Sequence, residues 1–209
     1  MPPPVSSALV QSLASVQWAV AVRTYGSSHS TLIGLIAAWW VGLSPSEHTV
    51  FDGAPSHGSG NAGWCDLMLC ERDAPVGVVE VEGTKPFEKL RTLGSYFASG
   101  KPGLDGIQFG LLAVYAYHVK GRGDARRYPP AESSEILSAA KRVSLEHPTK
   151  ALILVALDKV VDKSLSSLRS SSPYHVGSFS KVTGVLFVAG NELHRSSIYE
   201  SPAQGSGEV

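Results

Sequence analysis

The chain is poor in cysteine, with only Cys65 and Cys70 among its 209 residues. Two cysteines are too few for the disulfide framework of a small secreted protein, and they exclude a zinc site with four cysteine ligands. We therefore expect both residues to be reduced thiols that pack as small apolar side chains.

An excess of charge of one sign is also absent, because 18 lysines and arginines balance 18 aspartates and glutamates. This balance excludes a protein that coats nucleic acid through bulk positive charge, although it allows a local basic patch.

The longest apolar run, 32–43, has about a dozen residues, too few to span a bilayer. The first residues, Met-Pro-Pro-Pro, lack the basic region of a signal peptide. We expect a soluble cytoplasmic protein with no membrane partner.

Acidic residues are missing from the first 46 positions, and Glu47 is the first acid of the chain. Apolar residues recur at helical spacing over 5–22 and 30–41, which predicts an N-terminal pair of helices. Strand and helix patterns then alternate. Strands are predicted at 48–52, 64–70, 76–82, within 106–118 and at 151–157, and helices are predicted from Pro86 to Phe97, at 131–145 and at 158–169.

The end of the chain carries a hairpin signal, in which strands 182–189 and 193–199 flank Gly190-Asn191. Alternating strands and helices predict an α/β fold with a mixed central sheet flanked by helices. We expect one domain over 1–200 and a polar tail over 201–209.

Three carboxylates, those of Asp66, Glu80 and Glu82, stand in two consecutive predicted strands. Because side chains alternate along a strand, Glu80 and Glu82 share one face of the second strand. A five-residue turn over 71–75 closes the predicted hairpin. The pairing that this turn sets places Asp66 opposite Glu80, with Cβ atoms about 5 Å apart.

Such a cluster of acids needs a partner. Like charges that face each other destabilise a sheet, and apolar surroundings raise the pKa of at least one carboxyl group. A divalent cation or basic side chains would compensate, and Mg²⁺, with Mn²⁺ as a substitute, is the predicted cofactor. The alternative is a solvent-exposed face whose acids only aid solubility. The apolar Val76 and Val78, which share the face of Glu80, argue against that alternative.

The stretch Gly63-x-x-Asp66, followed by an apolar strand, a turn and Val78-Val79-Glu80-Val81-Glu82, resembles the core of the PD-(D/E)XK nuclease superfamily. The segment from Pro86 to Tyr96 resembles the helix that follows this core. The resemblance covers residues 47–118 and implies a restriction-endonuclease-like core of order α-β-β-β-α-β. It also implies that Asp66, Glu80 and Glu82 are metal ligands.

The activity that the resemblance implies is Mg²⁺-dependent hydrolysis of phosphodiester bonds in DNA, by a monomer or a homodimer. Its catalytic residues would be Asp66, Glu80, Glu82 and Lys85. Glu82 stands where the family carries lysine, and residues 1–46 offer no acid for the first helix. These two departures favour the alternative of a nuclease-like module that binds nucleic acid or a protein partner without chemistry. A purely structural α/β module is the third interpretation.

Contact with DNA requires local positive charge even in a neutral chain. The segment 120–128 carries four basic residues and one tyrosine and is the predicted contact surface, with a solvated loop as the alternative. Lys89 is a further candidate for phosphate contact. The predicted nucleic-acid-binding residues are therefore Lys89, Lys120, Arg122, Arg126, Arg127 and Tyr128.

Overall fold

The structure is a computed structural model that describes residues 5–19, 28–52, 64–83, 85–98, 103–115, 119–120, 126–127, 130–161 and 177–201. Its helices are α1 (Ser7–Ser12), α2 (Ser28–Leu43), α3 (Pro86–Ala98) and α4 (Ser134–Glu146), with a 3₁₀ turn at Leu13–Ser15. Its strands are β1 (His48–Asp52), β2 (Leu67–Glu71), β3 (Ala74–Glu82), β4 (Phe109–Tyr115), β5 (Val119–Lys120), β6 (Arg126–Arg127), β7 (Ala151–Val161), β8 (Gly177–Val188) and β9 (Asn191–Glu200).

Seven strands form one mixed sheet in the order β1-β2-β3-β4-β7-β8-β9. The strands β1, β2 and β3 are antiparallel neighbours, and β3, β4 and β7 are parallel to one another. The strands β7, β8 and β9 are again antiparallel. The prediction of an α/β fold with a mixed sheet is confirmed, and so is the C-terminal hairpin. Its two turn residues are Ala189 and Gly190, which both have positive φ. The turn therefore lies one residue before the predicted turn at Gly190-Asn191.

Helices cover both faces of the sheet because its central strands are apolar on both sides. On one face, α1 and α2 pack against a core that includes Val79 and Val81 of β3. On the other face, α3 and α4 pack against a core that includes Val78 of β3 and Leu112 of β4. We call these the α2 face and the α3 face of the sheet. This arrangement confirms the prediction that helices flank the sheet.

The tryptophans of α2 anchor this helix to the rest of the α2 face. Trp39 and Trp40 are buried, and each indole nitrogen has an acceptor. Trp39 Nε1 donates to Ser12 Oγ at 2.9 Å, and Trp40 Nε1 donates to the Cys70 carbonyl at 2.9 Å.

None of the helices in the described parts of the chain combines the length and the apolar character needed to cross a bilayer.

Two predicted helices were wrong in extent. The helix predicted over 5–22 ends in the 3₁₀ turn, because the buried Trp18 folds back and donates to the Leu13 carbonyl at 3.0 Å. The helix predicted from 158 was wrong for residues 158–161, since β7 stays paired with β8 as far as Val161. The rest of that predicted helix lies outside the described residues.

The last strand of the sheet is polar. Most side chains of β9 are exposed, and Ile198 is its buried residue. Arg195 donates from Nε to Glu192 at 2.7 Å and also forms an ion pair with Glu132. At the opposite edge of the described sheet, Phe51 of β1 is exposed.

Close packing makes Gly77 of β3 a position where we expect an added methyl group to be costly. A Cβ atom there would lie 2.5 Å from the ring of Phe109, which is buried in the core of the α2 face. We expect Gly77→Ala to lower the free energy of unfolding by about 1–3 kcal/mol. Gly34→Ala in α2 meets nothing within 4 Å. That control is expected to stabilise by roughly 0.5–1 kcal/mol. Equal urea denaturation midpoints for the two variants would contradict this packing.

Candidate functional site

The hairpin that carries the acids closes on a shorter turn than predicted. Arg72 and Asp73 form a two-residue turn with φ angles of 50° and 63°, so the predicted turn over 71–75 is wrong. Positive φ at both central residues matches the twist of the two strands, which explains why two residues suffice. Glu47, the first acid of the chain, pairs with Arg72 at this turn. Glu47 therefore lies at the opposite end of β2 from Asp66.

A bulge restores the predicted register beyond the turn. The pairing shifts between Leu69 and Cys70, and this shift leaves Val76 of β3 without an opposite residue. Val76 consequently packs on the α2 face, so the prediction that it shares the face of Glu80 is wrong. Past the bulge, Leu67 pairs with Val79, which is the register that brings Asp66 next to Glu80.

Asp66 precedes β2 and is tied to β3 by two hydrogen bonds. Its backbone nitrogen donates to the Val79 carbonyl at 3.1 Å, and its Oδ2 accepts from the Val81 nitrogen at 2.7 Å. The same oxygen lies 3.4 Å from Nε2 of His29, in the first turn of α2. The side chain of Asp66 is 15% exposed, so it remains open to solvent.

Glu80 is completely buried beneath α3. Its Oε2 accepts from Lys89 Nζ at 2.5 Å. No donor among the described residues reaches its Oε1, so the ionised carboxylate would be buried with one oxygen unsatisfied, which is costly. The protonated group instead hydrogen-bonds with Asp66. A positively charged group beside Oε1 would stabilise the ionised form.

Burial raises the pKa of Glu80 to about 8. The hydrogen bond and charge of Lys89 oppose this shift, and the neighbouring Asp66 carboxylate adds to it. Burial alone would lower the pKa of Lys89, but its hydrogen bond to Glu80 and the Glu80 charge outweigh burial and raise it. A cation close to the Glu80 carboxyl group would favour its ionised form and would therefore lower its pKa.

Glu82 lies one pleat further along β3 and is half-buried. Its Oε1 accepts from the Gly83 nitrogen at 2.7 Å. Burial, together with the charges of Glu82 and Asp66, raises the pKa of Tyr115 to about 12. Within the described part of the chain, no three histidine, cysteine, aspartate or glutamate side chains form a group that could hold one metal ion. The structure therefore brings Asp66 and Glu80 together and does not add Glu82 as a third ligand.

The two candidate lysines at and near the start of α3 have different surroundings. Lys85 is exposed and forms an ion pair with Glu88 at 3.3 Å, so the structure does not place it beside Asp66 or Glu80. Lys89 is 24% exposed and turns inward to Glu80. Lys89 is thus the lysine that brings an ammonium group to Glu80 and Asp66.

The predicted basic segment is described only in part. The strands β5 and β6 pair Lys120 with Arg126, and Arg127 follows in the same ladder. Arg122 and Tyr128 lie outside the described residues. Nucleic-acid binding by this segment stays a prediction.

Sequence reasoning missed one residue of the site and one residue beside it. His29 precedes Asp66 by 37 positions, and a histidine at a helix start carries no pattern that signals such a contact. Tyr96 is buried on the α3 face, where burial and a hydrogen bond with Cys65 raise its pKa well above the usual range. Spacing along α3 identifies Tyr96 as a core residue, but it gives no indication of this polar neighbour.

Asp66, Glu80, Lys89 and His29 together form what we call the carboxylate site. The sequence of the chain matches no model of a known protein family and no curated protein.

Proposed function

We propose that this protein is a divalent-cation-dependent nuclease that hydrolyses phosphodiester bonds, with DNA as its first candidate substrate. The observation that carries the proposal is Glu80, a buried carboxyl group that has one oxygen without a donor among the described residues and lies beside Asp66 and Lys89. The order α2-β1-β2-β3-α3-β4 supports it, because this is the order that the PD-(D/E)XK resemblance implies.

The donor set fits a hard cation. Mg²⁺ is commonly held by one or two carboxylates, with water and phosphate oxygens completing its coordination. Asp66 and Glu80 would supply the carboxylates, and Glu80 Oε1 is an oxygen that no donor among the described residues reaches. When bound, such an ion supplies Lewis acidity toward water and toward the phosphate group.

Lys89 supplies an ammonium group from a helix, whereas the family that the chain resembles carries its lysine on the strand. Position 82, where that lysine would stand, is a glutamate. Lys89 reaches Glu80 from α3 instead and brings a positive charge to the carboxylate site. A fixed positive charge there stabilises the negative charge that develops on a phosphate group during hydrolysis. Glu82 is the proposed residue that orients the attacking water.

A second candidate function is a nuclease-like module that binds nucleic acid without chemistry. Two observations favour it. Among the described residues no third acidic ligand joins Asp66 and Glu80, and Glu82 accepts a hydrogen bond from the Gly83 nitrogen. The two functions differ in product formation and not in binding.

The proposed function is tested with the wild type, Glu80→Gln and the control Glu88→Gln, which changes an exposed glutamate of α3 outside the carboxylate site. Calorimetric titration with Mg²⁺ and Mn²⁺ should detect binding to the wild type and the control and lose it in Glu80→Gln. Cleavage of labelled DNA and RNA should fall by roughly 10³-fold in Glu80→Gln, as expected from several kcal/mol of lost stabilisation. If the wild type binds cation and nucleic acid but forms no product, the module without chemistry replaces the nuclease.

A further inference from the structure

Trp64 is the most exposed large apolar side chain in the described parts of the chain, at 63%. The other three tryptophans, Trp18, Trp39 and Trp40, are buried, and each donates its indole hydrogen to an oxygen of the fold. A tryptophan carries a large apolar surface, and a ligand that covers this ring would gain the burial that the fold forgoes. A single exposed apolar side chain is ordinary by itself, so the position of Trp64 decides its meaning.

Trp64 lies two residues before Asp66 of the carboxylate site. Two residues of extended chain span at most about 7 Å, so the Cα atoms of Trp64 and Asp66 lie within that distance. Burial alternates along 64–67, where Cys65 and Leu67 are buried and Trp64 and Asp66 reach solvent. The indole ring and the Asp66 carboxylate are therefore the two side chains of this segment that one ligand can contact together.

The backbone around Trp64 is held in place although its ring is exposed. Trp64 takes part in an isolated β-bridge, and the next residue, Cys65, is 1% exposed and packs in the core of the α3 face. Asp66 is tied to β3 by its hydrogen bonds with Val79 and Val81. A ring on a segment that is already ordered costs little further ordering when a ligand stacks on it.

We propose that Trp64 stacks on an unpaired base of the nucleic-acid substrate, next to the phosphate that the carboxylate site holds. Aromatic rings beside a site that binds the backbone are how proteins hold single strands, because every base has a flat face. Inside an intact duplex, a base must first leave the stack before a protein ring can cover it. The substrate class is therefore a strand with unpaired bases. The proposal rests on the proposed function for the phosphate chemistry, and it adds the residue that selects the substrate.

An organic cation is the alternative occupant, since an indole ring and a carboxylate together attract one. Lys89 argues against it, because its ammonium group already brings positive charge to Glu80. This charge attracts a phosphodiester and repels an organic cation. A divalent metal ion differs from an organic cation because it binds the carboxylate oxygens directly.

A double change, one in the ring and one in the ligand, tests the stacking. Fluorescence anisotropy compares the wild type and Trp64→Leu, each with a labelled oligothymidylate and with a strand of equal length that lacks bases. Ca²⁺ replaces Mg²⁺ because it also takes oxygen ligands, and a gel checks that the strands stay intact. We expect Trp64→Leu to weaken binding of the oligothymidylate by about 5- to 100-fold, the loss of one base-aromatic stack. The strand without bases should bind equally to both proteins.

Two further variants separate stacking from a structural effect. Trp64→Phe keeps a flat ring and should retain most of the binding. It also removes the exposed indole, so the quenching of tryptophan emission that the oligothymidylate causes in the wild type should disappear, since the other three tryptophans are buried. The control is Leu193→Ala, which removes an exposed apolar side chain from β9 at the opposite edge of the sheet and should bind like the wild type.

Three outcomes overturn the role of Trp64. The first is equal binding of the oligothymidylate by the wild type and a folded Trp64→Leu, or no binding by the wild type. The second is an equal loss in Trp64→Leu for strands with and without bases, which would indicate a structural effect. The third is equal competition by an intact duplex or by tetramethylammonium, which would assign the ring to another ligand.

Failure of this proposal and failure of the proposed function give different results. If Trp64→Leu loses binding only for the strand that carries bases, Trp64 is the stacking residue even when the wild type cleaves nothing. If the wild type cleaves DNA and Trp64→Leu keeps both its binding and its kcat/KM, the nuclease stands and the role of Trp64 is overturned.

Discussion

Replacing Glu80 with glutamine is expected to flatten the dependence of stability on pH when divalent cations are chelated. Burial raises the pKa of Glu80 in the folded protein to about 8, against an ordinary value of 4.5 in the unfolded chain. Between these two values, the unfolded chain releases the proton while the folded protein keeps it. The stability that this group contributes is therefore complete below about pH 4.5 and is lost as the pH rises to about 8, by on the order of a few kcal/mol.

Glutamine keeps the shape of the side chain and cannot ionise, so Glu80→Gln should lack this loss and exceed the wild type in stability at about pH 8. The free energy of unfolding, measured with urea across this pH range, checks the expectation. Glu88→Gln is the control, because Glu88 is exposed and paired with Lys85. Parallel pH profiles for the wild type and Glu80→Gln would contradict a buried carboxyl group that resists ionisation.

Replacing Lys89 with methionine should destabilise the protein strongly at high pH and weakly at low pH. Above about pH 8, Glu80 must ionise in the folded state, and removing its partner leaves a buried charge that costs about 3–5 kcal/mol. Near pH 5, Glu80 keeps its proton, and the variant loses only a hydrogen bond, which contributes about 1 kcal/mol.

Two controls isolate the interaction of Lys89 with Glu80. Lys85→Met removes the same charge from an exposed position, and it should change stability by less than about 0.5 kcal/mol. In the double variant Lys89→Met with Glu80→Gln, the additional loss at high pH should disappear, because no buried charge remains to be neutralised. An equal loss for Lys89→Met at both pH values would show that its aliphatic chain matters and its ammonium group does not.

The strands of the sheet were predictable where a local pattern of apolar residues marks them in the sequence. The strand β1 begins and ends at the predicted residues, and the central strands follow from continuous apolar runs. The start of α4 differs by three residues, because Ser133 caps the helix by accepting from the Ile136 nitrogen at 3.3 Å. A serine on either side of a helix start fits such a pattern equally well, so spacing alone does not locate the cap.

The acidic pair was predictable for a reason that proved only partly correct. Alternation along β3 and an assumed turn placed Asp66 beside Glu80, and the structure reaches the same register through a shorter turn and a bulge. The sequence pattern gave no sign that Arg72 and Asp73 adopt positive φ, because neither position is a glycine. Contacts from separate elements, such as His29 from α2, depend on how helices pack on the sheet and have no local signal.

The two outer strands of the described sheet differ in how readily they would join another chain. Edge strands present unpaired backbone groups that can template fibrillar association. A strand added to β9 would have to displace water from Glu192 and Arg195, whose charges already form ion pairs. The opposite edge offers Phe51 instead, an exposed ring on a short strand. Of the two described edges, β1 is therefore less protected against the addition of a strand from another chain than the charged β9.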